Sequence, residues 1–516
     1  MALSPFRNEP SVDFSIPVNR SEFADALGRV SGGLGRDYPL LIGGERVETR
    51  EKFESYNPSH PEQVIGRHAV ATAEDVDRAV AAGWSAFDEW SRTPVEDRAT
   101  VLLRAAQVIR RRRRELAAMM VYEVGKPWDE ADGEAAEAVD LMEWYARQAL
   151  ELDDRDRMAP WPGELTRFRY LPLGVGAVIS PWNFPLALAT GMMTAAVVTG
   201  NCVVLKPAMT SSTTAAWLVD ILTDLGLPPG VINLVTGSGA VAGEALVDHP
   251  RIRFVAFTGS REIGVRIYER ASRVQPGQRW LKRIQLEMGG KNAVVVDETA
   301  DLDLAALGIT TSAFGFQGQK CSAGSRAVVV GSVYDDLVGR VLELAGRLNL
   351  GDPTDPAVNV GPVIDGSAEE KILDYLQIGR GEGDLLLGGG HGPGDGHFIE
   401  PTIFGGVASE ARIAQEEIFG PVLSVIKAED FEQGVQIANS TDYGLTGSYF
   451  SRDPERIAYA KDRFHVGNLY INRRSTGAYM GVHPFGGFNM SGTDTKAGGP
   501  DYLLFYTQGQ SIAEQL

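Results

Sequence analysis

The spacing of apolar residues changes along the chain and predicts a different kind of structure in each part. From Glu74 to Leu150 apolar residues recur every three or four positions, for example at Val76 and Val80, which predicts helices. The stretch Thr166–Pro172 instead alternates apolar and polar residues, which predicts a strand at a sheet edge or in an arm.

Between Gly174 and Glu287 short β-rich runs alternate with helical patterns. The runs are Val175–Ser180, Val203–Leu205, Val231–Val235 and Phe254–Phe257, and the helical patterns begin at Leu186, Thr213, Ala240 and Glu262. This order predicts a Rossmann-like, doubly wound parallel sheet, whose ligands bind beyond the carboxyl ends of the strands. Polar motifs at those strand ends are therefore candidate cofactor contacts.

A second alternating region runs from Asn292 to about Asp430. It contains a predicted strand at Ala327–Val330 and a predicted helix near Asp335–Leu348. We therefore expect the α/β class with a second α/β unit. The loop Gly388–Gly394 is rich in glycine but lacks the strand-to-helix phosphate pattern, so we interpret it as a surface turn.

The composition is that of an ordinary globular protein, and its charge argues against two classes of partner. With 516 residues, 44% hydrophobic and 23% charged, the chain is long enough for two or three domains. Its formal net charge of −19 would repel nucleic acids and anionic membranes, so small-molecule chemistry is expected. The run Arg110–Arg114 interrupts a helical pattern, which favours a solvated face or a subunit contact over a nucleic-acid patch.

The start of the chain carries no pattern typical of export. It lacks a cationic region followed by an apolar stretch, and no later apolar run approaches about 20 residues. We therefore expect a cytoplasmic protein with reduced thiols.

Cys321 is the most informative single residue. The chain has only two cysteines, so we expect neither a disulfide framework nor a cysteine metal site, and no metal. Cys202 lies in the apolar segment Asn201–Leu205, the setting of an inert thiol, whereas Cys321 lies among glycines, polar residues and Lys320, which suits a thiolate. A buried or incidental thiol is the alternative, and local context alone leaves both open.

Three motifs at predicted strand ends carry polar groups. Asn183 lies in the rigid loop Ser180–Pro185, where its amide would suit an oxyanion or belong to an ordinary turn. Lys206 ends a strand and would bind a ribose or phosphate, or be a surface lysine. Thr258–Ser260 opens a helix whose N–H groups suit a pyrophosphate, although Ser260 would serve equally as a simple helix cap.

Two further positions complete this set. Gly237 lies in the loop Thr236–Gly243, which is one residue longer than the usual dinucleotide fingerprint, so a cofactor would bind in a different pose. Glu287 leaves an apolar strand and enters a run of glycines, where partial burial would raise the pKa of its carboxyl toward that of a general base. A surface glutamate at a strand end is the alternative.

Six motifs together resemble the NAD(P)-dependent aldehyde dehydrogenase superfamily, from about residue 40 to about residue 510. They occur in the order and spacing of that family and are Pro181–Pro185, Phe257–Ser260, Leu286–Lys291, Gly318–Cys321, Glu416–Pro421 and Pro484–Gly487. Six motifs in register make a chance similarity implausible.

The resemblance implies roles for these residues. Cys321 would attack an aldehyde, the Asn183 amide and the Cys321 N–H would hold the oxyanion, and Glu287 would activate the water that releases the acyl group. A free acid is the implied product, because members that transfer the acyl group to coenzyme A tend to lack this carboxylate. The implied cofactor-binding residues are Ser180, Trp182, Lys206, Gly237, Thr258, Gly259, Ser260, Glu417 and Phe419.

One departure from the family pattern bears on the cofactor. Met209 stands where many members have an acidic residue that hydrogen-bonds the adenosine 2′-hydroxyl. NAD is the expected cofactor, and the missing carboxylate leaves NADP acceptable as well, because nothing there would repel a 2′-phosphate.

Five segments narrow the resemblance within the superfamily, namely Phe316–Ser322, Ala414–Pro421, Phe464–Tyr470, Thr476–Ala478 and His483–Gly487. In these segments the chain resembles the members that oxidise glutamate semialdehyde, formed from 1-pyrroline-5-carboxylate in proline breakdown, to glutamate. That substrate carries a carboxylate, which Ser322 and the N–H groups of Gly477 and Ala478 would hold. Lys320 would add positive potential.

The same substrate carries an ammonium group and an aliphatic chain. Glu137 matches the position near the ammonium, with a surface glutamate as the alternative, and Phe184 and Phe485 would pack the chain. Another semialdehyde or an aliphatic aldehyde is the first rival substrate. A cysteine hydrolase or esterase that uses the same thiol without redox chemistry is the rival from another class.

The resemblance also implies the domain organisation and the partners. We expect an N-terminal extension at 1–40, a cofactor-binding domain at 41–163 and 173–290, and a catalytic domain at 291–480. Residues 164–172 and 481–516 would form a small β oligomerisation element and tail, made of the strand 164–172 together with the tail segment Tyr502–Tyr506. We expect a homo-oligomer, with a proline dehydrogenase as candidate partner.

Overall fold

The computed structural model describes residues 3–153 and 158–516, and fourteen helices are assigned in those two ranges. They are α1 (Pro17–Ser31), α2 (Ala73–Trp90), α3 (Val95–Val124), α4 (Trp128–Asp153), α5 (Ala187–Val198), α6 (Ser212–Thr223), α7 (Glu244–Asp248), α8 (Arg261–Ala271), α9 (Leu302–Phe314), α10 (Tyr334–Ala345), α11 (Gly366–Glu382), α12 (Arg412–Gln415), α13 (Phe431–Ala438) and α14 (Pro454–Arg463). Shorter helical turns lie at Met209–Ser211, Gly239–Gly243, Gly315–Gly318, Gly331–Val333 and Tyr502–Tyr506.

The first large sheet has seven strands. In spatial order they are β11 (Arg283–Glu287), β10 (Phe254–Thr258), β7 (Val175–Ser180), β8 (Cys202–Pro207), β9 (Ile232–Leu234), β2 (Leu40–Ile42) and β3 (Glu45–Val47). The five strands from β11 to β9 are parallel, while β2 and β3 are added antiparallel at one edge. The chain enters at β7, fills one side and then returns to fill the other, which confirms the predicted doubly wound sheet and places its switch point between β7 and β10.

The second large sheet also has seven strands. In spatial order they are β14 (Asp384–Leu387), β15 (Thr402–Gly405), β16 (Val422–Ala428), β13 (Arg326–Val330), β12 (Ala293–Val296), β18 (Thr446–Phe450) and β19 (Asn468–Ile471). All neighbours except β14 and β15 are parallel. Both sheets carry runs of fully buried aliphatic residues, as expected where helices cover both faces of a parallel sheet. The predicted α/β class is confirmed, and the exact domain limits stay a prediction.

Three small sheets complete the fold. The first contains β1 (Arg36–Tyr38), β5 (His60–Ala69) and β4 (Lys52–Asn57), and the second pairs β17 (Tyr443–Gly444) with β20 (Phe488–Asn489). The third is a long antiparallel ribbon of β6 (Glu164–Pro172) and β21 (Thr507–Gln515). The strand predicted at 164–172 is therefore present, and its role in assembly stays a prediction.

The structure shows which part of the tail pairs with β6. Tyr502–Tyr506 does not extend the ribbon, because it forms a helical turn whose Tyr506 side chain is fully buried against Phe254. The strand that pairs with β6 begins one residue later, at Thr507. Tyr502 and Tyr506 pack into the hydrophobic core that includes the first sheet.

The arginine run at 110–114 is tied to the body of the protein. Arg113 forms a buried bidentate pair with Asp132, so the interpretation of this whole run as a solvated face was wrong. Arg110 pairs with Glu9 of the N-terminal segment, which therefore lies against α3.

Neither a membrane span nor a metal cluster is found in the part of the chain that the structure describes. No helix there is both long and apolar enough to cross a bilayer. The same residues contain no group of three or more His, Cys, Asp or Glu side chains placed to hold a metal ion.

The switch point depends on a close approach within the first sheet, and this can be tested. A Cβ added at Gly176 in β7 would lie 2.0 Å from the Phe254 ring of β10. Gly176→Ala should cost about 1–3 kcal/mol through overpacking and lower the midpoint of thermal unfolding. Gly133→Ala in α4 is the control, because a Cβ there meets nothing within 4 Å and alanine favours a helix. Equal midpoints for both variants would contradict this account of the switch point.

Candidate active site

A cavity of about 580 Å³ lies at the switch point of the first sheet. Its size is that of a small-molecule or cofactor site. Its wall includes most of the predicted cofactor and catalytic residues, which are Ser180, Trp182, Asn183, Lys206, Thr258, Gly259, Ser260, Cys321, Glu417 and Phe419. The carboxyl ends of β7, β8 and β10 therefore converge on one cleft, as parallel strands predict.

Two charged groups lie on the cofactor side of this cavity. The Lys206 Nζ is buried at the end of β8 and donates to the Pro207 carbonyl at 3.0 Å, and burial lowers its pKa to about 8. Glu417 accepts the Gly290 N–H at 2.8 Å, and a Cβ at Gly289 would lie 2.2 Å from its carboxylate. Glycine at 289 therefore lets this carboxylate lie directly against the backbone.

Most of the predicted pyrophosphate contacts line the cavity, and one does not. Ser260 lines the cavity and caps α8, since its Oγ accepts the Ile263 N–H at 3.4 Å. Gly237 does not line the cavity, and a Cβ there would face Ala71. The structure therefore does not place Gly237 for the direct cofactor contact that was predicted. Gly239 and Gly243 of the same loop line the cavity instead. The extra residue in this loop was the signal for that displacement.

The residues on the wall fit a dinucleotide. The Ser180 Oγ is buried and has no hydrogen-bond partner among the residues that the structure describes, so it is an orphan donor at the end of β7. Trp182 and Phe419 meet edge to face with ring centroids 5.7 Å apart and form an aromatic wall. Phe419 holds a φ of 62°, a left-handed conformation that is uncommon for an aromatic residue.

Cys321 and Asn183 meet at one end of the cavity. The Asn183 Nδ2 donates to the Gln319 carbonyl at 3.0 Å, which fixes the amide two residues before the thiol. The Cys321 N–H has no hydrogen-bond acceptor within 3–153 and 158–516. One amide side chain and one free backbone donor beside a thiol are the parts of an oxyanion hole.

An unusual turn precedes the thiol. Phe316, Gln317 and Gly318 have consecutive positive φ values of 49°, 56° and 68°. The Gln317 side chain holds this turn by donating to the carbonyls of Gly125 at 2.9 Å and Pro362 at 2.8 Å. Only glycine fits at 318, since a Cβ there would lie 2.2 Å from the Gly420 carbonyl oxygen.

Asn292 is a positioning residue that the sequence interpretation missed. Its Nδ2 donates to the carbonyls of Cys321 and Ala323, both at 2.8 Å, and its Oδ1 accepts the Thr446 N–H at 2.9 Å. It therefore ties the nucleophile loop to β18. Its place directly after Lys291 in a recognised motif was the available signal.

The thiol of Cys321 is protonated at neutral pH in this environment. Burial raises its pKa to about 12, and the charges of Glu287 and Glu417 act in the same direction. Lys320 does not offset this, because its Nζ pairs with Glu130 at 2.6 Å. The expected stabilisation of a thiolate by the neighbouring lysine is therefore wrong, and reaction requires the thiol to lose a proton.

Glu287 is a buried carboxyl at the end of β11. Neither of its oxygens has a hydrogen-bond partner among the described residues, and a Cβ on Gly486 would lie 3.2 Å from its Oε1. Burial raises its pKa well above the usual value, as expected for a general base held in a dry site. It does not line the cavity itself, but its charge acts on the Cys321 thiol.

The residues expected to hold the substrate carboxylate, Ser322, Gly477 and Ala478, are not part of the cavity wall. The Ser322 carbonyl accepts the Ser475 hydroxyl at 3.1 Å, which brings the loop that carries Gly477 and Ala478 to the Cys321 loop. Gly477 holds a φ of 77°, so glycine is required for this turn.

The other predicted substrate residues have distinct settings. Glu137 in α4 is half-buried and has no hydrogen-bond or ion-pair partner among the described residues, and burial raises its pKa to about 8. Phe184 lies edge to face with Phe316, with centroids 6.2 Å apart. Phe485 is half-buried and its backbone pairs with Ala497, so only its side chain is available to a ligand.

The sequence pattern of the aldehyde dehydrogenase family matches residues 46–512, and the chain belongs to this family. A protein of Geobacillus kaustophilus (strain HTA426) named 1-pyrroline-5-carboxylate dehydrogenase is 54% identical over 512 residues, which is 99% of each chain. These findings confirm the family that the six motifs indicated.

Solved structures agree in fold over the full length. The crystal structure of 1-pyrroline-5-carboxylate dehydrogenase from Thermus with bound NAD matches with a TM-score of 0.99 and 50% identity, covering 100% of both chains. The structure of proline utilization A from Bdellovibrio bacteriovorus, inactivated by N-propargylglycine, matches with a TM-score of 0.98 and 44% identity, and this chain covers 54% of it.

The two cysteines provide a matched test of the nucleophile. Cys321→Ala should abolish aldehyde oxidation, whereas Cys202→Ala should leave it within about two-fold, because Cys202 is buried in β8 and has an inert setting. The readout is cofactor reduction at 340 nm together with the thermal unfolding midpoint of each variant. Activity in the Cys321 variant would remove its assignment as nucleophile.

Glu287→Gln tests the release step. We expect one rapid turnover per site followed by a steady rate lowered about 10²–10⁴-fold, because the thioester then lacks its general base. The raised pKa of Glu287 gives the sign of the pH effect, since a base works only when deprotonated. Thioester hydrolysis by the native protein should therefore slow as the pH falls, beginning at a higher pH than for an ordinary carboxylate, and this pH dependence should vanish in the variant. Steady turnover at the native rate would contradict the assignment.

Proposed function

We propose that this protein oxidises L-glutamate γ-semialdehyde to L-glutamate with NAD as the acceptor, in the breakdown of proline. The observation that carries the reaction type is the meeting of Cys321, the Asn183 amide and an unpartnered buried carboxyl beside one cavity. The substrate is supported by the 54% identity over 99% of the relative named 1-pyrroline-5-carboxylate dehydrogenase.

Each of these residues has its own role in the proposed reaction. The Cys321 thiol gives its proton to the Glu287 carboxylate, which passes it to solvent, and the sulfur bonds to the aldehyde carbon. The oxyanion that forms accepts hydrogen bonds from the Asn183 amide and the Cys321 N–H. NAD, held by the residues of the cavity wall, would supply the hydride acceptor, and loss of the hydride would leave a thioester on the Cys321 sulfur. Glu287 then takes a proton from the attacking water, the carbon–sulfur bond breaks, and glutamate leaves.

The cavity wall supports the choice of cofactor. Lys206 and Glu417 would hold the ribose hydroxyls, and the start of α8 at Ser260 would face the pyrophosphate. Met209 follows β8 without a carboxylate, so NADP is a second acceptor in this proposal. Comparing the two cofactors at equal concentration gives the preference.

The assembly and the partner belong to the same proposal. In the ribbon, β6 exposes alternate residues over most of its length and β21 is exposed at nearly every position, which supports a contact with a second copy of the chain. A proline dehydrogenase is the proposed supplier of the substrate, a role supported by the similarity to proline utilization A. Sedimentation of the purified protein measures its oligomeric state. Co-purification with a proline-oxidising enzyme tests the proposed partner.

The substrate assignment is tested with four aldehydes. We expect the highest kcat/KM with glutamate semialdehyde, a lower value with glutarate and succinate semialdehydes, and the lowest with hexanal. A higher value with hexanal or succinate semialdehyde would identify a different aldehyde dehydrogenase. Ester hydrolysis without cofactor reduction by any aldehyde would identify a hydrolase.

Glu137→Gln tests recognition of the ammonium group. The change should raise KM for glutamate semialdehyde about 10–100-fold, the size expected for one charge-assisted contact. KM for glutarate semialdehyde, which has the same chain and carboxylate without the amino group, should stay within about two-fold. An equal rise for both substrates would show that Glu137 does not contact the ammonium.

A further inference from the structure

A buried ion pair lies behind the nucleophile, in a part of the fold that the proposed reaction does not use. Lys126 is in the turn between α3 and α4, Glu134 is in α4, and both side chains are fully buried where they pair. Taking two charges out of water is expensive, so such a pair persists where the surrounding groups use it.

Glu134 contacts the segment between β7 and α5, which carries Asn183, the proposed oxyanion donor. Its Oε1 accepts the N–H groups of Leu186 at 2.8 Å and Ala187 at 3.0 Å, at the start of α5. These are the third and fourth residues after Asn183. A carboxylate at a helix start satisfies otherwise orphaned donors, so Glu134 fixes where α5 begins.

Lys126 contacts both halves of the proposed oxyanion hole through aromatic rings. Its Nζ lies 3.7 Å from the centroid of Phe184, which follows Asn183 directly. It also lies 4.5 Å from the centroid of Phe316, the first residue of the left-handed turn before Cys321. A desolvated cation is attracted to the face of an aromatic ring, and here one cation contacts two rings.

The turn that carries Lys126 also holds the nucleophile loop by its backbone. The Gly125 carbonyl accepts the Gln317 Nε2 at 2.9 Å. The segment that carries Asn183 and the loop that carries Cys321 therefore both contact the short turn between α3 and α4.

We propose that Lys126 is a positioning residue that sets the spacing between the Asn183 amide and the Cys321 N–H, acting through Phe184 and Phe316. This inference rests on the proposed roles of Asn183 and Cys321 and is independent of which aldehyde the protein prefers. Because the oxyanion forms on the carbon common to all aldehydes, loss of Lys126 slows the chemical step for every substrate.

The test uses Lys126→Met with Glu134→Gln, which removes both charges and keeps an oxygen that can accept from Leu186 and Ala187. We expect kcat to fall about 10–100-fold with glutamate semialdehyde and with hexanal alike, as for a misplaced oxyanion donor. KM should stay within about three-fold for both, since neither residue contacts substrate. Lys126→Gln is the second variant, because its amide still donates to Glu134.

The control is Arg113→Met with Asp132→Asn, which neutralises another buried pair joining α3 to α4. It should lower the thermal unfolding midpoint and leave kcat within about two-fold, because neither residue contacts Phe184 or Phe316. All rates are measured well below the unfolding midpoint of each variant. If a folded Lys126 variant loses no more kcat than the control, or its loss lies only in KM, the proposal is overturned. Absence of aldehyde oxidation in the native protein would overturn the proposed function instead.

Discussion

The left-handed turn at Phe316, Gln317 and Gly318 is the constraint on which the site depends. Two non-glycine residues with positive φ cost about 1–3 kcal/mol each, so the turn persists only where its surroundings hold it. The Gln317 amide bonds two backbone carbonyls from separate parts of the fold, and the 318 position admits no side chain. Because the turn cannot relax, the following residues bring Cys321 to the Asn183 amide at the end of the cavity.

Burial then decides the charge state of the groups that this turn brings together. The thiol of Cys321 and the carboxyl of Glu287 both have raised pKa values, and that of Lys206 is lowered to about 8, each chiefly through loss of water. Desolvation favours the neutral form of acids and bases alike. The thiol and the carboxyl therefore favour their protonated forms in this buried site. A developing oxyanion meets preorganised donors there and little competing water, which makes each hydrogen bond stronger.

The sequence contained the groups that react and only part of what positions them. Strand-end motifs predicted the cleft, because parallel strands bring their carboxyl ends to one edge and Asn183, Lys206 and Ser260 follow such ends. The pairing of Lys320 with Glu130 could not be predicted, since a helical period places a carboxylate on a face without naming a partner 190 residues away. The burial of Tyr506 could not be predicted for a related reason, since it depends on contact with Phe254, which is far away in the sequence.

Helix α4 shows how one periodic pattern can serve three purposes. Glu130, Glu134 and Glu137 are spaced by four and three residues, so they lie on one face of the helix. Glu130 pairs with Lys320. Glu134 pairs with Lys126 and accepts an N–H group at the start of α5, so both carboxylates already have structural partners. Glu137 has no partner among the described residues, and the nearby Glu134 charge adds to burial in raising its pKa to about 8. A buried carboxyl without a cationic partner is a suitable contact for a cationic group of a ligand. We therefore propose this face of α4 as the place for the ammonium of an amino-acid semialdehyde, a group that an aliphatic aldehyde lacks.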